Sequence, residues 1–192
     1  MNRSLGNPEQ TVVVDATKSE RGDERATPAV VKASASVKPF VVERLTHQDV
    51  NDICALYRRV WEGFRAELPD PLIKAWEPSP LEFTSWMEGV TYFAARRDGK
   101  MIGAIGCRIE NGSCRLVHLA VDPEARRQGV ATALVGATTE WARHNTSTMI
   151  WVDALAKFTA AAAVFKALGF AESGVLHRHY WGEDVRLLEK IL

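Results

Sequence analysis

Several features that mark other classes of protein are scarce or missing in this sequence of 192 residues. Three cysteines, Cys54, Cys107 and Cys114, are present, and so small and odd a number indicates reduced thiols, not a disulfide framework. Basic and acidic residues balance at 24 each, which disfavours wholesale electrostatic binding to nucleic acid or anionic lipid. No apolar run approaches the roughly 18–20 residues of a membrane span, and the first residues lack the apolar core of a signal peptide. We therefore expect a cytoplasmic protein that binds neither nucleic acid nor membrane.

Aromatic residues are missing from the first part of the chain. None of the 6 Trp, 3 Tyr and 7 Phe lies in residues 1–39. A segment without large side chains cannot offset the entropy lost on ordering, so we predict a disordered N-terminal tail over 1–39. An edge strand at 11–14 is the alternative there. Residues 40–192 hold every aromatic residue and are long enough for a single well-formed core.

Apolar periodicity in this second part predicts a mixed α+β sheet domain. Two Asx-Gly pairs, at 98–99 and 111–112, are typical of two-residue hairpin turns, which need positive φ. In that register Cys107 faces Leu116 and not Cys114, which argues against a disulfide. The predicted elements are strands at 40–45, 90–97, 100–110, 113–121 and 148–154, helices at 50–64, 129–144 and 159–168, and a final hairpin at 175–192. A shorter helical region at 72–87 is interrupted at Pro78 and Pro80.

A basic loop follows the predicted strand 113–121 and leads into a helix N-terminus. Backbone N–H groups at such a terminus lack partners and carry partial positive charge, so they bind phosphate. Gly129 lets a diphosphate approach without a Cβ in the way. The pattern is neither Gly-x-Gly-x-x-Gly nor a Walker loop, which disfavours dinucleotide and nucleoside triphosphate sites. An ordinary strand–turn–helix joint with a solvated arginine pair is the alternative.

The loop motif Arg126-x-x-Gly129-x-Ala131, after Leu119-Ala120-Val121-Asp122, resembles the acyl-CoA diphosphate signature of the GNAT superfamily of N-acetyltransferases. Residues 163–170, which end in Gly-Phe, resemble that family's second motif. The resemblance covers 40–192, more weakly before residue 90. It implies a GNAT-like, mostly antiparallel sheet flanked by helices and splayed between the fourth and fifth predicted strands, with acetyl-CoA as cosubstrate in the cleft. The residues that it implies for acetyl-CoA binding are Leu119, Ala120, Val121, Arg126, Arg127, Gln128, Gly129, Val130, Ala131 and Phe165.

Acetyl transfer to an amine also needs a base, which takes a proton from the amine at some stage. Asp153 is the candidate, in an otherwise apolar strand beside Trp151, where desolvation is expected to make ionisation harder. Within the family the chain is most similar to the N-terminal-alanine acetyltransferases of ribosomal proteins. Counting back from residues 169–170 places Asp153 where that subgroup has an acidic catalytic residue. A solvent-facing or salt-bridged aspartate at a strand end is the alternative.

The second motif departs from the family pattern at Phe165. The family typically has a tyrosine there, the presumed acid for the departing thiolate, and phenylalanine cannot donate a proton. The CoA thiol has a pKa of roughly 8.5–10, so its thiolate is a tolerable leaving group without a strong acid. Tyr180 is the substitute candidate, because His179-Tyr180-Trp181 resembles the aromatic pair on the subgroup's final hairpin, which lines the acceptor site. Packing within the hairpin is the alternative for Tyr180.

Three histidines, at positions 118, 177 and 179, lie in the predicted strands of this domain. His118 is predicted as a core or surface residue that shares a strand face with Leu116 and Ala120. His177 and His179 are two residues apart, but no further ligand follows at a sensible spacing, so we predict no metal site.

Residues 62–88 carry six acidic and two basic side chains, interleaved with tryptophan and phenylalanine. Such a region suits a cationic amine, although helices that show acids to water and tryptophans to the core would give the same pattern. The sequence predicts an enzyme, an acetyl-CoA-dependent N-acetyltransferase that acts on a primary amine by direct attack in a ternary complex. The acceptor is a small cationic amine or a peptide or protein N-terminus, and the enzyme is a monomer or homodimer. A non-catalytic acyl-CoA-binding module of the same fold is the alternative.

Overall fold

The computed structural model describes the backbone of residues 29–31 and 38–192, and side chains from Lys38 onward. The described strands form one sheet in the order β1-β2-β3-β4-β5-β6-β8-β7, antiparallel throughout except for the parallel pair β5/β6. The strands are β1 Ala29–Val31, β2 Phe40–Arg44, β3 Thr91–Arg97, β4 Lys100–Glu110, β5 Ser113–Val121, β6 Met149–Leu155, β7 Ala171–Tyr180 and β8 Glu183–Ile191. The helices are α1 Val50–Glu62, α2 Asp70–Trp76, α3 Pro80–Trp86, α4 Val130–His144 and α5 Thr159–Ala167.

The predicted N-terminal tail falls mostly outside the described residues, and so does the alternative strand at 11–14. Three residues of it are described, and Ala29–Val31 pair antiparallel with Phe40–Val42. These three extend the sheet by one edge strand that the sequence interpretation placed in the tail.

The two predicted hairpin turns are confirmed. Asp98 and Gly99 have φ of 50° and 77°, and Asn111 and Gly112 have 50° and 81°. The second turn sets the register of β4 against β5, in which Cys107 pairs with Leu116 as expected. All three cysteines are buried free thiols.

The two faces of the sheet each carry a hydrophobic core. Helices α1, α2 and α3 cover one face, which we call the α1–α3 face, with a cluster that includes Tyr57, Trp76, Phe83 and Tyr92. Helices α4 and α5 cover the opposite face. The helix α4 approaches β4 closely at Gly103, since a Cβ there would lie 2.8 Å from a methyl carbon of Val130.

One expectation about strand β5 is wrong because the strand contains a β-bulge. Ala104 and Gly106 of β4 pair with Ala120 and Val117, so three steps on β5 oppose two on β4. His118 takes up the additional residue with φ of 55°. The bulge breaks the alternation of faces, and His118 packs on the α1–α3 face against Trp86, 4.3 Å between ring centroids. It shares this face with Ala120, as predicted, but not with Leu116.

No helix among the described residues is both long enough and apolar enough to cross a membrane. Within the same residues, no group of three or more His, Cys, Asp or Glu side chains is arranged to hold a metal ion.

Candidate active site

The parallel strands β5 and β6 separate partway along their length. Their last paired residues are Leu116 and Val152. Beyond that point β5 stays paired with β4 as far as Val121, and β6 stays paired with β8 as far as Leu155. A cleft therefore opens between the carboxyl ends of the two strands, where the sequence predicted the sheet to splay.

The loop between β5 and α4 follows one arm of this cleft. Gly129 has left-handed backbone angles immediately before the helix (φ 75°, ψ −2°), and nothing lies within 4 Å of the position that a Cβ would occupy there. Arg127 also has a positive φ, 58°. The first N–H groups of the 15-residue helix α4 have no partner within the helix. The loop thus combines open space with partial positive charge, which fits an anionic group such as a diphosphate.

Asp122 anchors the start of the loop. Its buried carboxylate lies 3.1 Å from Arg59 of α1 and 3.3 Å from Lys100 of β4, and it accepts a hydrogen bond from the Glu124 N–H at 3.2 Å. Burial opposes ionisation of this carboxyl, but the Glu124 N–H and the two cations outweigh it and hold the pKa of Asp122 below its ordinary value. These contacts therefore hold the first residue of the loop in place against α1 and β4.

The two loop arginines are exposed at the mouth of the cleft. Arg126 donates from Nε to the Val121 carbonyl at 3.4 Å and lies over the ring of Phe64, 5.5 Å from its centroid. Phe64 is in turn 4.9 Å from Phe158, which follows β6. Side chains from both arms of the cleft thus meet a phenylalanine that follows α1.

The remaining residues implied for acetyl-CoA binding differ in exposure. Ala120 and Val130 are buried, and Leu119 and Ala131 are half-buried. The Gln128 side chain is used within the protein, because its Oε1 accepts from Arg97 at 2.8 Å and its Nε2 donates to the Glu124 carbonyl at 2.7 Å. Gln128 therefore stabilises the loop through its side chain, and only its backbone is left for a ligand.

Phe165 lies apart from the surface of the cleft. It is fully buried in α5, with its ring centroid 5.1 Å from that of Phe170. It belongs to the same buried cluster as Leu116 and Val152, the last paired residues of the parallel strands. Phe165 thus contributes to the core and shows no surface to a ligand here, unlike the contact implied by the resemblance, because an aromatic ring without a hydroxyl is stabilised by complete burial.

Asp153 and Tyr180 form a hydrogen-bonded pair. The Tyr180 hydroxyl donates to one carboxylate oxygen of Asp153, and an Arg115 nitrogen lies 3.2 Å from the other. Asp153 is 2% exposed and follows Val152, the last residue paired across the cleft. The solvent-facing interpretation of Asp153 is therefore wrong, and the salt-bridged one describes its contacts, as burial of a carboxylate requires.

Arg115 is the site residue that sequence reasoning missed. It pairs with Trp151 in the parallel register, and its guanidinium lies over the Trp151 ring, 4.8 Å from the centroid. Strand alternation puts Arg115 and Asp153 on the same face of neighbouring strands. The available signal was a charged residue inside an apolar strand, but its partner follows only from a register that brings together residues 38 positions apart.

Three of the six acidic side chains in region 62–88 make contacts within the protein. Arg65 bridges Glu62 and Glu77 at 2.7 Å and 2.5 Å, and Glu82 closes a capping box at the start of α3. Trp61 and Trp76 are buried with ring centroids 4.5 Å apart. These contacts agree with the alternative interpretation of this region, in which the tryptophans pack in the core.

Comparison with known proteins agrees with this geometry. The model of the acetyltransferase (GNAT) family matches residues 52–170, and the chain belongs to this family. Members of the family are acetyltransferases that use acetyl-CoA.

Individual relatives are similar over part or most of the chain. An uncharacterized N-acetyltransferase of Methanocaldococcus jannaschii is 25% identical over 161 residues, which is 79% of this chain and 70% of that protein. The ribosomal protein bS18-alanine N-acetyltransferase of Escherichia coli is 28% identical over 94 residues, 49% of this chain and 64% of that enzyme. The crystal structure of the E. coli ribosomal-protein-S18-alanine N-acetyltransferase superposes with a TM-score of 0.65 at 22% identity, covering 79% of this chain and 93% of that one. The structural match confirms the fold.

Proposed function

We propose that this protein transfers the acetyl group of acetyl-CoA to a primary amine by direct attack within a ternary complex. The observation that carries the proposal is the cleft between β5 and β6, with an anion-binding loop along one arm and the buried Asp153–Tyr180 pair where the strands part. Membership of the GNAT family and relatives named as N-acetyltransferases support it.

Cosubstrate binding rests on β5 and the loop after it. The backbone N–H groups around Gly129 and at the start of α4, with the exposed Arg126 and Arg127, hold the diphosphate. The main chain of Leu119 and Val121, at the open edge of β5, takes the pantetheine. Arg126 leaves the Val121 carbonyl and Phe64 when it turns to a phosphate. Acetyl-CoA itself supplies the activated thioester.

Proton movement is assigned to the Asp153–Tyr180 pair. The amine attacks in its neutral form, after its ammonium form has lost one proton to water. As its nitrogen forms a bond to the acetyl carbon and the carbon–sulfur bond breaks, Asp153 takes a proton from the amine and Tyr180 gives its hydroxyl proton to the thiolate. The proton on Asp153 then passes to Tyr180 along their hydrogen bond, which restores both groups. Tyr180 thereby replaces the acid that Phe165 cannot provide.

The acceptor is a peptide or protein N-terminus or a small cationic amine. The ribosomal-protein-alanine acetyltransferases among the relatives favour a peptide N-terminus. Tyr180 belongs to the cluster that α1, α2 and α3 cover, and Asp153 is hydrogen-bonded to it, so the amine enters from the α1–α3 face.

The test is a thiol-release assay with acetyl-CoA against a panel of peptides and polyamines, together with a thermal melt. We expect acetyl-CoA to raise the melting temperature and free CoA to appear only when an acceptor is present. Binding without release for every amine would favour the non-catalytic module. If acetyl-CoA neither binds nor raises the melting temperature, both functions are wrong.

A further inference from the structure

The bulge in β5 is a strained feature at the centre of the proposed site. His118 has a left-handed φ of 55°, which a residue with a Cβ adopts only when its surroundings hold it there. It lies two residues beyond Leu116, where β5 leaves β6, and immediately before Leu119. The backbone at 118–119 is therefore freed from regular pairing on both sides of the strand.

Two buried tyrosine hydroxyls hold His118 in this conformation. Tyr57 of α1 donates a hydrogen bond to the His118 carbonyl oxygen at 2.7 Å. The Tyr92 hydroxyl of β3 shares a hydrogen bond with His118 Nδ1 at 2.5 Å. Tyr57 is 2% exposed and Tyr92 is 1% exposed. Burial raises the pKa of both phenols well above the ordinary value, so both stay protonated.

Trp86 of α3 completes the enclosure of His118, with the two rings stacked at 4.3 Å. A cavity of about 10 Å³ remains among Tyr57, Trp61, Trp76, Trp86 and His118, room for about one water molecule and for no substrate group. The enclosure therefore shapes the strand and does not itself receive a ligand.

We propose that Tyr57 and Tyr92 are positioning residues, which act through the His118 bulge to set the β5 backbone against the acetyl thioester. The inference rests on the proposed function. Their hydroxyls fix the carbonyl and the ring of the bulged residue, and so fix the direction of the next peptide groups, Leu119 to Val121, along which acetyl-CoA is placed. Without one hydroxyl the bulge relaxes, and the acetyl carbon moves relative to Asp153. Displacements of about 1 Å reduce rates by roughly 100-fold.

The test compares Tyr57→Phe and Tyr92→Phe with Ile53→Val. Each tyrosine variant keeps its ring in the core and loses only the hydroxyl. Ile53 is fully buried one turn before Tyr57 on α1, and Ile53→Val lowers the melting temperature by packing loss without touching His118. We measure kcat for thiol release, KM for acetyl-CoA and the melting temperature.

We expect kcat to fall roughly 10- to 100-fold in both tyrosine variants, with the Ile53→Val enzyme keeping wild-type kcat at a similar loss of melting temperature. Tyrosine variants with kcat within about twofold of wild type would overturn the proposal, and so would an Ile53→Val enzyme that loses as much. Either result requires an active wild-type protein. A wild-type protein that releases no thiol with any amine would instead contradict the proposed function, and the positioning role with it.

Discussion

The surroundings of Asp153 fix the orientation of its carboxylate, which a catalytic base requires. Its carboxylate is buried and satisfied by Tyr180 and Arg115, so it is held in one orientation. A base needs such placement before its proton affinity matters. The ion pair with Arg115 is therefore compatible with a catalytic role, because it fixes the carboxylate next to the cleft.

We expect Asp153→Asn to lower kcat by about 10²- to 10⁴-fold, since an amide cannot take the amine proton. Tyr180→Phe should cause a smaller fall, because a CoA thiolate leaves tolerably without an acid. The measurement is the pH–rate profile of thiol release for each variant.

Asp184→Asn is the matched control for this pair. Asp184 is an acid of the final hairpin that binds the backbone N–H of Arg178 and the ring of His177, so this variant should retain wild-type turnover. An Asp153→Asn enzyme with unchanged turnover and pH profile would remove Asp153 from the mechanism.

The family resemblance predicted two residues of this site. Asp153 follows from its distance to residues 169–170, and Tyr180 from the likeness of residues 179–181 to the subgroup's final hairpin; their catalytic roles stay predictions. Arg115 was missed, because its partner depends on the parallel register of two strands that a helix separates. His118 was assigned to the wrong face, because strict alternation does not anticipate a β-bulge.

At the scale of elements, the position of the loop between β5 and α4 depends on how α4 packs against β4. We expect Gly103→Ala to push α4 away, since its Cβ would lie 2.8 Å from Val130 and 3.1 Å from Leu134. The free energy of unfolding should fall by about 1–3 kcal/mol, and KM for acetyl-CoA should rise because the loop moves with the helix. Chemical denaturation and initial rates measure the two effects.

Gly63→Ala provides the comparison for this variant. Gly63 has φ of −68° and no neighbour closer than 4.0 Å to an added Cβ, so the substitution should be close to neutral. If Gly103→Ala were equally neutral in both measurements, the close packing of α4 on β4 would not set the position of the loop.

The buried ion pairs of Asp122 predict that the free energy of unfolding depends on pH. The folded-state pKa of Asp122 is lowered, so its contribution is present above the unfolded-state pKa of about 3.9 and is lost as pH falls through the lower folded-state pKa. Asp122→Asn should therefore reduce the free energy of unfolding by about 1–3 kcal/mol at neutral pH, and the difference from wild type should shrink below about pH 4.

Denaturation series at several pH values test this, with Asp98→Asn as the control. Asp98 pairs with Lys38 at the surface, where its side chain is 70% exposed, so its loss should change stability little. A constant difference between Asp122→Asn and wild type at every pH would contradict the assignment.

Across the whole molecule, most of the architecture followed from local patterns. Apolar periodicity and two Asx-Gly turns predicted the order of the elements in 40–192, except that the interrupted helical region 72–87 is two separate helices, α2 and α3. The motif after β5 pointed to the family and the splayed sheet. The short strand Ala29–Val31 was not found, because a three-residue edge strand has no periodicity to detect. Phe165 was placed at the cleft by resemblance, whereas its contacts are those of a core residue.

The charged residues are unevenly distributed over the molecule. The chain has 24 basic and 24 acidic residues. Two of the basic residues are the exposed arginines of the loop, and two of the acidic residues at 62–88, Glu62 and Glu77, form ion pairs with Arg65. In the proposed function, these two arginines meet the anionic end of acetyl-CoA, and the acceptor enters from the face that α1, α2 and α3 cover.

The central claim is that this chain moves an acetyl group from acetyl-CoA to an amine. Its most direct test is mass spectrometry of an alanine-starting peptide incubated with the protein and acetyl-CoA carrying an isotopically labelled acetyl group, with the released thiol counted in parallel. The account predicts labelled acetyl on the peptide N-terminus in amounts equal to the thiol released, and loss of both in Asp153→Asn. Thiol released without label on this peptide or on any other amine acceptor would contradict it.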